Sequence, residues 1–175
     1  MTMTAGLRKL TLAAHVTSSI GWFGAVAAFL ALAIAGMTSQ APQLVRAAYL
    51  AMSVTTWFVI VPLAIVSLLS GVVASLGTRW GLFRYYWVLL KLLLTSFSIV
   101  ILWVHTQPID LLAGVAARTT AFSADFHGQQ LLLVTASGAA MVVLLVLTVL
   151  SIYKPQGMTP YGARKQDEQR AMPLP

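Results

Sequence analysis

The sequence predicts an all-α, polytopic membrane four-helix bundle with both termini in the cytoplasm, and three observations carry that expectation. Of the 175 residues, 59% are hydrophobic and 9% charged, against about 45–50% and ~25% in an ordinary soluble domain. Residues 10–45, 47–78 and 126–153 are free of Lys, Arg, Asp and Glu, and each run exceeds the roughly 20 residues a helix needs to cross a ~30 Å hydrocarbon core. Arg8, Lys9, Arg79, Arg84, Lys154, Arg164, Lys165 and Arg170 fall on one side of these runs, and Arg46 and Arg118 on the other. An excess of that kind keeps positively charged loops in the cytoplasm.

The elements follow in order. The first helix is expected over about 9–35, ending where GMTSQAPQ (36–43) gathers turn-forming residues, and the second over about 46–76, ending at GTRWG (77–81). The third, interrupted by Lys91, is expected over about 84–105, with turn chemistry from Pro108 to Asp125, and the fourth over about 127–153, stopped by Lys154-Pro155. Together these make one transmembrane domain, residues 1–155, and the polar segment 156–175 reads as a disordered cytoplasmic tail. Arg8-Lys9 ahead of an apolar run and Ala33-Ile34-Ala35 behind it resemble a signal peptide, but the run is longer than the usual ~7–15-residue apolar region, so the first span is expected to be retained. No alternation of period two and no internal repeat is present, which leaves helices to satisfy the backbone in lipid.

Eleven Lys and Arg against four Asp and Glu give a net charge of +7. A membrane protein carries that excess in its loops, so the expected partner is the lipid bilayer and not nucleic acid. The absence of cysteine excludes disulfides, thiolate metal sites, cysteine nucleophiles and covalent haem attachment. There is no G-x-S-x-G, H-E-x-x-H or Walker A sequence, and no carboxylate falls within the four expected spans. Whether the chain is an enzyme stays open.

Ionisable groups inside a span are costly, so His15, Lys91, His105 and His127 are the residues from which a functional reading starts. At about 100° per residue, Arg84, Trp87, Thr95, Ser98 and His105 all lie within about 40° of Lys91 on the third helix. On the first helix Arg8, Thr11, Ser19 and Trp22 lie within about 40° of His15. Both stripes are expected to face the other helices. His15 and Lys91 should each lie about 10 Å inside the cytoplasmic boundary and share an inner site, while His105 and His127 should share an outer one. The alternative is a polar packing seam, with Lys91 reaching toward lipid phosphates.

Neutral imidazole ligates haem iron, and a buried Lys without an acidic neighbour suits an anion such as a porphyrin propionate. On that chemistry His15, His105 and His127 are candidate metal ligands, His105 with His127 by matched depth, and Trp22 is placed to pack on a ring. Copper is the other metal open to the chain, through Met37 and Met52 in the outer half. A non-catalytic structural or transport-associated subunit is the competing class, in which the same polar residues only fix helix packing.

The string His15-x6-Trp22-x-Gly24, followed by Ser70-Gly71 and Trp87-x3-Lys91-Leu92, resembles the CopD (copper-resistance D) and HemJ (protoporphyrinogen oxidase) type of four-helix protein of bacterial cell membranes. The resemblance covers about residues 8–105. It implies that His15 and Lys91 match positions associated with b-type haem and porphyrin chemistry, and that other membrane redox proteins are partners. Lys91 and His105 are fourteen residues apart, against about eleven in the HemJ pattern, which points to one of the group's less defined relatives and away from a protoporphyrinogen oxidase.

Overall fold

Thr4 begins the first helix, its hydroxyl accepting from the Leu7 amide at 3.4 Å, one of the donors that a helix start leaves without a partner. In the computed structural model, which describes residues 3–78, 81–118, 126–155 and 157–171, this helix is α1 (Ala5–Thr38). Pro42 opens α2 (Pro42–Thr55), where its missing N–H costs nothing. A π-helical turn (Thr56–Ile60) joins α2 to α3 (Val61–Leu76), so that one rod runs from Pro42 to Leu76. The wide turn has a local cause. Pro62 has no N–H to give the carbonyl four residues back, and its ring crowds that carbonyl; the extra residue takes up the mismatch. The remaining helices are α4 (Tyr86–Arg118), α5 (His127–Tyr153) and α6 (Pro160–Ala171).

α1 lies against the α2–α3 rod and against α5, and α4 closes the square by lying against both of those neighbours. The largest fully buried side chains, Tyr49, Met52, Leu112 and Leu133, come from three of the four walls. Close approach of α1 to α2 depends on Gly36, where a Cβ would stand 2.8 Å from the Tyr49 ring. The outward faces are apolar: Leu10, Ile20, Phe58, Phe97, Val142 and Ile152 are all exposed. α1, the α2–α3 rod, α4 and α5 are each long and apolar enough to cross a membrane.

Two expectations need correction. The third helix does not end near residue 105 but runs through Pro108 to Arg118. Beyond the proline, Ile109, Leu112, Ala113 and Ala116 recur at helical spacing and are buried, and that packing carries the helix past a residue costing about 3 kcal/mol in an interior. This also brings Asp110 into α4, so a carboxylate does lie within a long apolar helix.

The tail, expected to be disordered, contains α6. Thr159 is its cap, accepting from the Gly162 amide at 3.1 Å, and Pro160 is its first residue. The segment leading to it is tied to the start of α4: the Tyr86 amide donates to the Gly157 carbonyl at 3.2 Å, the Thr159 amide to the Arg84 carbonyl at 3.0 Å, and the Thr159 hydroxyl to the Phe83 carbonyl. Among the described residues this Tyr85–Met158 pairing is the single extended contact. The expected boundary residues Arg79 and Trp80, residues 119–125 of the outer connection, and Gln156 and residues 172–175 of the tail lie outside the described residues.

Gly162 packs so closely that a Cβ there would overlap the Arg84 carbonyl oxygen, an atom of the backbone that cannot turn aside. Gly162→Ala therefore lifts the strap off α4. Hydrogen exchange in detergent solution reads this directly, with the Tyr86 and Thr159 amides expected to exchange at least about tenfold faster than in the parent. Unchanged rates would show that the strap does not depend on that contact.

Candidate functional site

Helical spacing sends His15 and Ser19 of α1 toward Ser67 and Ser70 of α3, one turn apart on each helix. The His15 Nδ1–H donates to the Ser67 carbonyl at 3.0 Å and approaches the Ser70 hydroxyl at 3.2 Å. A carbonyl only accepts, so the proton sits on Nδ1, and neutral imidazole keeps its lone pair on Nε2. The Ser19 and Ser67 hydroxyls are bonded to each other at 2.8 Å. Gly71 makes room for the ring: a Cβ there would be 3.0 Å from His15 Cε1.

Lys91 reaches the same place from α4. His15, Ser19, Ser67, Lys91, Thr95 and Ser151 all line a cavity of about 60 Å³. The Lys91 Nζ donates to the Ser151 hydroxyl at 2.7 Å, and that hydroxyl donates in turn to the Leu147 carbonyl at 2.7 Å. The inner pair expected from the sequence, His15 with Lys91, is thus brought to one cavity.

Above it lies a second cavity, of about 510 Å³, walled by α1, the α2–α3 rod, α4 and α5. Trp22 and Leu144 line both cavities and form the partition between them. The upper one has apolar walls that include Val26, Phe29, Phe97, Leu133 and Val143. Its hydroxyls are spent on their own helices: Thr56 donates to Met52, Ser98 to Leu94, Thr135 to Leu131 and Ser137 to Leu133, each to a carbonyl one turn back. His105 also lines it, and its Nδ1–H donates to the Ile101 carbonyl at 2.8 Å. The lone pair of its Nε2 is left over.

His127 does not join His105. It is the exposed first residue of α5, whereas α5 meets the upper cavity only from Leu132 onward, at least five residues further along. α4 continues to Arg118, which sets His105 thirteen residues, about 20 Å, short of the helix end instead of at it. Met52 is fully buried in the core, and neither it nor Met37 lines the upper cavity. Among the described residues no three His, Asp or Glu side chains gather in a way that would hold a metal ion.

A group that the sequence reading missed is Asp110. Its carboxylate accepts from Trp57 Nε1 at 3.0 and 3.2 Å and from the Ser53 hydroxyl at 3.0 Å. Trp57 is engaged there through its indole N–H. The signal was present in the sequence as the apolar spacing of residues 109, 112, 113 and 116 beyond Pro108.

The niche under His15 is testable. Gly71→Val drives a branched side chain into the imidazole, an overpacking that costs about 1–3 kcal/mol. The apparent Tm in detergent should fall by roughly 2–10 °C, while Gly24→Ala, where a Cβ meets nothing within 4 Å, should leave it within about 2 °C. Equal melting of the two variants would show that His15 is not seated on Gly71.

Comparison with protein families, with curated proteins and with solved structures finds no match to this chain.

Proposed function

We propose that this chain is a four-span protein of the bacterial cell membrane, with both termini cytoplasmic, that binds b-type haem or a related tetrapyrrole in its upper cavity. The observation that carries the reading is an apolar chamber lined by His105, whose ring commits Nδ1–H to the Ile101 carbonyl and so keeps its lone pair on Nε2. Its volume, about 510 Å³, falls within the roughly 300–1,000 Å³ typical of cofactor and ligand pockets. Donation of Nδ1–H to a main-chain carbonyl fixes the ring and raises the basicity of Nε2, the arrangement that a metal-ligating histidine uses.

Haem bound there would supply one-electron redox chemistry. The chain's own contribution is to exclude water with apolar walls, to offer one imidazole, and to seat Trp22 where its indole covers the floor. The lower cavity, about 60 Å³, is too small for a tetrapyrrole. His15 and Lys91 are therefore assigned a different task beneath that floor: they would set an imidazole and a positive charge below a group held in the upper cavity, a charge that favours an anionic substituent. The resemblance to CopD-like and HemJ-like proteins supports the same chemistry, with His105 rather than His15 as the proposed ligand. Copper gains no support from the positions of Met37 and Met52.

Absorption tests the cofactor. Protein purified from haem-replete cells should show a Soret band and a reduced α-band. His105→Ala should remove most of the absorbance, His127→Ala should leave it intact, and His15→Ala should retain the bands. A colourless parent protein, or bands that survive His105→Ala unchanged, would overturn the reading in favour of a structural bundle.

Support for the topology comes from the positive residues of one end and from α6, which docks on Arg84 and so shares that end. The absence of cysteine makes single-cysteine variants clean probes. Ser39→Cys should react with a membrane-impermeant maleimide applied to intact spheroplasts, and Gln166→Cys only after lysis. The opposite pattern would invert the topology.

A further inference from the structure

The Asp110 cluster belongs to neither cavity. Trp103 and Asp110 are seven residues apart on α4 and share a face; Ser53 and Trp57 are four apart on the adjoining rod, the latter inside the π turn. Both neutral donors, the Trp57 N–H and the Ser53 hydroxyl, point at the carboxylate. Trp57 and Trp103 meet at right angles, with ring centroids 6.1 Å apart and planes at 81°, so the acid stands beside a corner made of two indoles. The corner opens outward: Trp57 is 38% and Trp103 63% exposed.

The charge is what demands an occupant. Among the described residues no Lys, Arg or His makes an ion pair with Asp110, and Arg46, the nearest outer cation along the rod, is bonded to the Ala117 carbonyl at 3.4 Å, about 10 Å further along α4. On the membrane reading above, an anion on an outward face in the outer half of a span is costly unless a cation meets it. The surroundings choose among cations. A divalent metal needs several oxygen ligands, and here one carboxylate is available. A methylated or primary ammonium needs a negative charge and π faces, and its alkyl groups suit an apolar surface. Trp57 spends its N–H on Asp110, which leaves the indole pair to act outward through its faces.

We propose that Asp110, Trp57 and Trp103 form a binding site for an alkylammonium cation in the outer half of the bundle, carried either on a free solute or on a lipid headgroup.

The test uses the full chain in nanodiscs of phosphatidylglycerol, titrated with tetramethylammonium and with phenyltrimethylammonium while tryptophan fluorescence is read. A saturable change is expected. Asp110→Asn should weaken it at least about tenfold, Trp103→Leu by roughly threefold to tenfold, and Asp167→Asn, an acid of α6, should leave it unchanged. Trp57→Phe, which keeps a ring and loses the donor, serves should Asp110→Asn fail to fold, and weakening is again expected. Repeating the titration in phosphatidylcholine nanodiscs separates the sources: a weaker apparent affinity means that the choline headgroup already occupies the corner, and an unchanged one assigns a free solute. No saturable response, or an equal response from Asp110→Asn, overturns the proposal. So does a dimer that Asp110→Asn converts to monomer without any cation response, because the occupant is then a second copy. Failure of the chain to enter nanodiscs is read separately, as failure of the membrane reading itself.

Discussion

In an apolar bundle with so few charges, every polar atom has to find its partner inside, and this requirement governs where chemistry remains possible. Many of the serines and threonines meet it locally. Thr38, Thr56, Ser75, Ser98, Thr135, Ser137, Thr148 and Ser151 each donate to the carbonyl one turn back on their own helix. A hydroxyl spent in this way stops demanding a partner across the bundle. His15, Lys91 and His105 cannot close on themselves in this way, and each of them lines a cavity.

Magnitudes decide what Lys91 contributes. A lysine costs about 2.5–3.5 kcal/mol at the centre of a span and less toward its ends, where Lys91 stands five residues past Tyr86, and a hydrogen bond from a charged donor returns about 1.5–3 kcal/mol. Its bond to Ser151 therefore roughly offsets the cost and adds little net stability. A seam that only held helices together would do so more cheaply with a leucine. The amine is thus better explained by what it does to the neighbouring space, a positive charge set under the floor of an apolar chamber, than by what it adds to folding.

Much of the bundle was legible in the sequence because its signals are local. Three charge-free runs and the apolar stretch around Lys91 pointed to four long helices, and the angular clustering of His15 with Ser19 and Trp22, and of Lys91 with Thr95, to the two inward faces that meet in the lower cavity. What was not legible depends on contacts distant in sequence. The docking of Thr159 on Phe83 and Arg84 joins segments more than seventy residues apart, and nothing in the polar composition of 156–175 announces it. The tautomers of His15 and His105 likewise depend on which carbonyl lies within reach.

Pro108 gathers these threads. Read alone, it ends a helix, and His105 then falls at the boundary beside His127. Ending α4 there would leave the backbone of the following residues without helical partners, and for a chain in lipid each such group costs several kcal/mol. One proline costs about 3 kcal/mol, so the helix continues. That choice has two chemical consequences. It keeps His105 in the helix that walls the upper cavity, which His127 does not line, and it sets Asp110 on the face of Trp103, within reach of Trp57. A helix broken at 105 would have put an imidazole pair at the rim and left the carboxylate in a loop; the continuous one separates a single imidazole in an apolar chamber from an acid on the outer face.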